Sequence, residues 1–260
     1  MVAGSGGAPL TGNGYYFHMI ALFTDFGLEG PYIGQVQAVL HQQAPGVSVI
    51  NLFSDLAPFD IQAAAYLLPA YISGFETGSV FLCVVDPGVG GDRPAVVVRA
   101  DGHWFVGPNE GLFAMLARQS ENVECWQVTI PAGVSSSFHG RDVFAPVAAQ
   151  LAREGRYTGQ PVSTDRLDQP EWPEELYRVV YVDRFGNLLT GVRASSVDEN
   201  SVLEINGHAL RAARTFSSVA RGEVFWYENS SGLVEIAVSQ GNAAGVLGLD
   251  TGDTFSMRAG

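Results

Sequence analysis

Two side chains seven positions apart, Asp86 and Arg93, are the first that could do chemistry. Asp86 closes the apolar run Val80–Val85 and is followed by Pro87-Gly88-Val89-Gly90-Gly91. Arg93 stands just before a second apolar run, Ala95–Val98. A carboxylate at the end of such a strand lies where open α/β sheets receive ligands, and glycines let a backbone come close to a bound molecule. The pair therefore reads either as a pocket floor or as a tight turn held by a structural ion pair. His139, between Phe138 and Gly140 ahead of a helical pattern, adds a group that exchanges protons near neutral pH. The other histidines, His18, His41, His103 and His208, sit among ordinary leader, helix or turn residues. Asp25 and Asp183 also end apolar runs, each followed by a glycine turn, although strand-end aspartates serve turns as well. Asn187, closing Asp183-Arg184-Phe185-Gly186-Asn187, offers an amide that can both donate and accept. The sequence contains no phosphate-binding Gly-x-x-x-x-Gly-Lys loop, no Gly-x-Ser-x-Gly elbow and no metal-spaced histidine pair.

Alternating strands and helices must position these groups. Strand-like runs at Ile20–Phe23, Val47–Leu52, Val80–Val85, Ala95–Val98, Trp104–Val106 and Glu124–Val128 are interleaved with helical patterns at 31–43, 60–71, 112–118 and 143–153. That order predicts an α/β domain with a mostly parallel sheet and crossover helices. From Gly155 to Glu175 the composition shifts to Gly, Pro, Thr, Asp and Glu, which reads as an interdomain linker. Beyond it, runs at 178–182, 201–205, 232–238 and 254–258, with an Asn206-Gly207 turn, predict a smaller all-β barrel or sandwich. The expected organisation is a leader over 1–18, an α/β domain over 19–160, a linker over 161–176 and the β domain over 177–260.

Composition narrows the function. The 260 residues carry a formal charge of −13, which argues against a nucleic-acid partner and suits a cationic small molecule. No run approaches the ~20 apolar residues of a membrane helix. The leader lacks the pattern of a signal peptide. Cys83 and Cys125 lack metal-ligand spacing and read as free thiols in a reducing compartment, so the cytoplasm is the expected location.

An ordered set of motifs then carries a resemblance. Thr24-Asp25-Phe26-Gly27, Val85-Asp86-Pro87-Gly88-Val89-Gly90, Arg93, Pro108-Asn109-Glu110-Gly111, Phe138-His139-Gly140-Arg141-Asp142, Phe185-Gly186-Asn187 and Asn229-Ser230-Ser231-Gly232 resemble the adenosine-forming S-adenosyl-L-methionine (SAM) hydrolases. These are also called SAM hydroxide adenosyltransferases and are relatives of the SAM-dependent fluorinase and chlorinase. The resemblance runs from Ile20 to about Gly252. It implies an N-terminal α/β domain, a C-terminal β-barrel and a homotrimer with active sites between subunits. It implies attack of a water-derived nucleophile on the ribose C5′ of SAM, giving adenosine and L-methionine, with Asp86, Arg93 and His139 as the catalytic set. Neither a metal nor a cofactor is expected, SAM being the substrate. By the same resemblance Asp25 holds the ribose hydroxyls and Phe59 packs on the sugar. Asp183 and Ser230 hold the amino-acid end, while Asn187, Phe216 and the backbone from Val238 to Ala243 form the adenine pocket. Tyr227 and Glu235 are further candidates.

Departures separate the branches. The fluorinase has Tyr where Asp86 stands, Thr at Val89 and Ser at Gly140, so its halide-binding hydroxyls are missing here. An unpaired buried carboxylate at Asp86 would moreover repel a halide. Ser231 stands where the fluorinase has an arginine. Hydrolysis is the expected reaction; a non-catalytic SAM or adenosine sensor and a SAM-dependent halogenase are the alternatives.

Overall fold

The computed structural model describes residues 19–260, and the expected leader lies outside them. The N-terminal half runs β1 (Ile20–Thr24), α1 (Tyr32–Gln43), β2 (Val49–Phe53), α2 (Ile61–Leu67), β3 (Val80–Val84), β4 (Ala95–Ala100), β5 (His103–Pro108), α3 (Ala114–Gln119), β6 (Val123–Gln127), α4 (Ala145–Glu154) and β7 (Gln160–Pro161). Its sheet has the order β2-β1-β3-β5-β4-β6-β7. Strands β2, β1, β3 and β5 pair in parallel, and β4 is antiparallel to both neighbours. Strand β6 therefore returns to the common direction, and the sheet is mostly parallel as expected. The short edge strand β7 is antiparallel to β6, and the reversal of β4 has a local cause: Asp101 and Gly102, both at positive φ, make a two-residue turn that forces β4 and β5 into a hairpin.

Both faces of this sheet are covered, which is why its strands read as unbroken apolar runs. Along β1 the side chains alternate: Ile20 and Leu22 pack with α1 and α4, Ala21 and Phe23 with α2 and α3. Asp60 caps α2 by accepting from the Ala63 amide at 2.9 Å. The α-helix expected to Tyr71 stops at Leu67, because Pro69 has no N–H to continue the ladder. The chain goes on as a 3-10 turn from Leu68 to Tyr71. The helix expected from Val143 instead begins with a π-helical turn, Gly140–Phe144.

The C-terminal half runs β8 (Leu176–Val182), β9 (Leu188–Arg193), β10 (Val202–Ile205), β11 (His208–Leu210), β12 (Val224–Glu228), β13 (Leu233–Val238), α5 (Ala243–Leu247) and β14 (Ser256–Arg258). Two antiparallel sheets, β12-β13-β9-β8 and β11-β10-β14, meet at both edges through the bridges Arg178–Thr254 and Ala212–Trp226. The strands thus follow one another around a closed ring, the barrel of the expected alternatives. Asn206 and Gly207 both have positive φ and turn β10 into β11. The halves are joined by more than the chain. Val180, Leu189 and Leu233 share a core cluster with Phe53, Leu56 and Leu67, and Arg178 Nη2 donates to Asp60 Oδ1 at 2.8 Å. The compositionally irregular segment between them is packed down, with Leu167 buried and Arg118 bonded to Asp168 and to the carbonyls of Gln169 and Trp172.

Candidate active site

Asp25 follows β1 and Asp86 follows β3, so adjacent parallel strands deliver two carboxylates to one end of the sheet. Arg93 reaches back from the start of β4. Its Nε donates to Asp86 Oδ1 at 2.7 Å and its Nη2 to Oδ2. The two side chains are only 3 % and 6 % exposed. The same Nη2 meets His139 Nδ1 at 2.9 Å, so Asp86, Arg93 and His139 form one contiguous chain of contacts. The glycines of the 86–93 turn explain how. Gly90, at φ +81°, packs so tightly on the Ser136 carbonyl that a Cβ would overlap it, and a Cβ on Gly88 would lie 2.8 Å from Glu110 Oε2. What approaches these glycines is the protein's own chain rather than a ligand. That contact carries the 136–139 segment, and with it His139, onto Arg93.

The electrostatics of the triad follow from this packing. A guanidinium cannot accept, so His139 Nδ1 bears the lone pair and the neutral ring carries its hydrogen on Nε2. Burial holds the His139 pKa below its ordinary value, and the adjacent Arg93 charge adds to the effect. Arg93 keeps one buried donor, Nη1, without a partner among the described residues. Asp86 is not the unpaired carboxylate that the halide argument assumed, since a bidentate guanidinium offsets its charge. Anion repulsion at Asp86 therefore does not separate hydrolysis from halogenation.

Asp25, Asp86 and His139 line a pocket of about 290 Å³ together with Phe26, Tyr32, Phe59 and Phe138. Asp25 Oδ2 accepts from the Phe59 amide at 3.0 Å. Burial raises the Asp25 pKa, the Phe59 amide opposes that, and the charge of Asp86 adds to it. Phe59 is held at φ +65°, a sparsely populated conformation for a non-glycine residue, and 73 % of it is exposed.

The remaining candidates lie elsewhere. Asp183, Asn187, Phe216, Tyr227, Ser230, Glu235 and Val238 line a second pocket of about 850 Å³, with Tyr71, Tyr181, Phe185, Asn229 and Gln240 among its other walls. Among the described residues none lines both pockets. Asp183 shapes its own turn: Oδ1 accepts from the Phe185 and Asn187 amides, both at 2.8 Å, and Oδ2 from Asn187 Nδ2 at 3.0 Å. One amide donor of Asn187 is thus already used within the hairpin. Ala243 does not reach the pocket. Asn242 caps α5, so Ala243 opens that helix fully buried in the barrel core, while Gln240 and Gly241 form the wall. Phe185 and Asn229 adjoin residues already singled out and were within reach of the sequence. Tyr71 was not, because it comes from the N-terminal half, where it meets Phe53 edge-on at 4.9 Å.

Comparison with known proteins decides the family. The family model for the SAM hydroxide adenosyltransferase N-terminal domain matches residues 20–159, and that for the C-terminal domain matches 177–256. The chain belongs to the SAM hydroxide adenosyltransferase family. Its relatives include the (R)-S-adenosyl-L-methionine hydrolases of Thermus thermophilus, 38 % identical over 90 % of this chain and 96 % of that one, and of Salinispora arenicola, 33 % identical over 93 % and 98 %. A fluorinase from an Actinoplanes species is more distant, at 22 % identity over 96 % of this chain and 99 % of its own. A conserved protein of Thermotoga maritima shares the fold with a TM-score of 0.81 and 29 % identity, over 92 % of this chain and 99 % of that one. Among the described residues no helix is long and apolar enough to cross a membrane.

Proposed function

We infer that this member of the SAM hydroxide adenosyltransferase family is a SAM hydrolase, releasing adenosine and L-methionine. The observation that carries this reading is the buried contact of Asp86, Arg93 and His139, of which Asp86 and His139 line a pocket with Asp25 while Arg93 joins the two from outside that lining. Water supplies an oxygen to C5′, the C5′–S bond breaks with its electrons going to sulfur, and one proton passes to solvent. Asp86 fixes the Arg93 fork. Arg93 Nη1 and the Nε2–H of His139 are donors suited to an oxygen nucleophile, and a cationic donor favours its hydroxide form. His139 therefore acts by donating rather than by taking a proton while Arg93 occupies Nδ1. Methionine leaves as a neutral thioether, so the leaving group calls for no Lewis acid. Asp25 takes the ribose hydroxyls, with Phe59 against the sugar, while the larger pocket holds adenine and, at Asp183 and Ser230, the amino-acid end.

This reading includes a homotrimer. One chain presents the nucleophile's pocket and the larger pocket as separate surfaces, each bearing a prominently exposed aromatic ring, Phe59 at 73 % and Phe185 at 75 %. Head-to-tail association brings the two halves of a site together from neighbouring subunits and closes as a ring. It also includes a cytoplasmic setting, which the buried free thiols Cys83 and Cys125 suit. Incubation with SAM and chromatography of the products tests the central reaction: equal amounts of adenosine and methionine are expected. Binding without release would make the protein a sensor instead.

A further inference from the structure

Two carboxylates, Asp183 and Glu235, line the larger pocket, and among the described residues no arginine or histidine does. SAM brings two positive groups, the sulfonium and the α-ammonium, and one negative group, the α-carboxylate. The two acids suit the cations and repel the anion. A carboxylate drawn out of water needs a cation or well-placed donors. Ser230 offers a neutral hydroxyl, and Asn229 Nδ2 already donates to Glu235 Oε2 at 2.9 Å. The chain contains no lysine, so a permanent cation has to be an arginine.

A further cavity of about 680 Å³ meets the larger pocket along Tyr227, Asn229 and Ser230, which line both, and Arg214 lines this further cavity. Backbone pairing sets its place. Ala212 bridges to Trp226 in parallel, and the Ala213 amide donates to Trp226 O at 2.9 Å. That pairing lies on the side of β12 away from β13 and carries Arg214 alongside the stretch that ends at Ser230. Two residues later Phe216 lines the larger pocket, its ring 5.2 Å from that of Tyr227. Arg214 is exposed. Among the described residues it has no hydrogen-bond or ion-pair partner for its side chain, although Glu199 and Glu228 line the same cavity. Arg184, between Asp183 and Phe185, lines neither cavity. We propose that Arg214 is a specificity-determining residue: its guanidinium takes the α-carboxylate of SAM where the two cavities meet at Ser230. A guanidinium fork matches both oxygens of a carboxylate, so Arg214 favours SAM over sulfonium nucleosides that lack that group. The proposal rests on the larger pocket being the SAM site, with the amino-acid end at Ser230.

The test compares wild type with Arg214→Gln and with Arg211→Gln, a control that removes another exposed arginine lining neither cavity. It measures kcat and KM for SAM, and the inhibition constant of decarboxylated SAM, which keeps the sulfonium and the amine. Arg214→Gln is expected to raise KM for SAM about tenfold, the size of one charge-assisted hydrogen bond. Its kcat should stay within about threefold of wild type, because the carboxylate is several bonds away from C5′ and its binding is felt equally before and during the reaction. The inhibition constant of decarboxylated SAM should stay within about twofold in both variants, as should KM for SAM in Arg211→Gln. A loss for SAM less than about three times the loss for the decarboxylated analogue would overturn the proposal, whether KM stays flat or both ligands weaken together. An equal loss in Arg211→Gln would also overturn it, assigning the effect to net charge. Arg214 holds no partner in the fold, so Arg214→Gln should unfold at the wild-type temperature and its kinetics report binding alone. Wild type that turns over SAM with a flat KM in Arg214→Gln removes only the role of Arg214, whereas wild type that releases no adenosine removes the pocket assignment with it.

Discussion

Removing Arg93 while leaving Asp86 in place is a perturbation whose cost can be worked from the structure. In Arg93→Met the Asp86 carboxylate, 6 % exposed, loses a two-point partner, and His139 Nδ1 loses its donor. Breaking a buried pair from one side costs about 3–5 kcal/mol, because a desolvated charge is left behind. At roughly 2–4 °C per kcal/mol for a chain of this size, the melting temperature should fall by roughly 6–20 °C. Replacing both partners, as in Asp86→Leu/Arg93→Met, leaves no orphaned charge and should return to within about 2 kcal/mol of wild type. Turnover should separate from stability: both variants should lose at least about a hundredfold in kcat, since each lacks the cationic donor at the nucleophile. Thermal unfolding followed by circular dichroism, alongside adenosine release, reads both quantities on the same samples. A double variant melting as low as the single one would refute the ion-pair reasoning. A double variant turning over SAM near the wild-type rate would refute the catalytic assignment.

Gly140 abuts Phe26 so closely that a Cβ would lie 2.7 Å from the ring Cζ. Gly140→Ser should therefore cost about 1–3 kcal/mol by overpacking, and Phe26→Leu in the same chain should recover much of it in denaturant titrations. Because burial and Arg93 lower the His139 pKa, the neutral ring persists below the ordinary histidine value. The acid limb of kcat/KM against pH should accordingly fall below pH 6.5, and a limb above it would contradict the neutral-donor role. For a site shared between neighbours, co-refolding inactive His139→Ala with inactive Asp183→Ala subunits at equal ratio should restore about a quarter of wild-type activity, from interfaces that pair two intact halves. No recovery in assemblies shown to be mixed would place each site within one chain.

Much of the fold was legible in the linear chain because its signals are local. Unbroken apolar runs in β1, β3 and β4 reported strands buried on both faces. Asp60 announced a helix start and Asn206-Gly207 a hairpin. Pro69 and the Asp101-Gly102 turn act locally as well, yet their consequences, a helix cut short at Leu67 and an antiparallel β4, depend on how the flanking segments pack. Strands β9 and β12 carried weaker patterns, Gly191 interrupting one and the aromatic run Phe225-Trp226-Tyr227 blurring the alternation of the other.

For the site, the sequence alone determined which groups are present: carboxylates at the ends of two apolar strands, an arginine within a turn's reach, and an imidazole ahead of a helix. Only the tertiary structure decided their relations, because those depend on contacts between segments far apart in the chain. Ser136 seated on Gly90 brings His139 to Arg93, and that neighbour fixes the ring's tautomer and the charge balance at Asp86. Packing of the two halves gathers Tyr71 with residues more than a hundred positions later, and the α5 cap sends Ala243 inward where the resemblance had implied a pocket wall. Side-chain chemistry is a property of each residue, whereas pairing, desolvation and the direction a group faces belong to the packed chain.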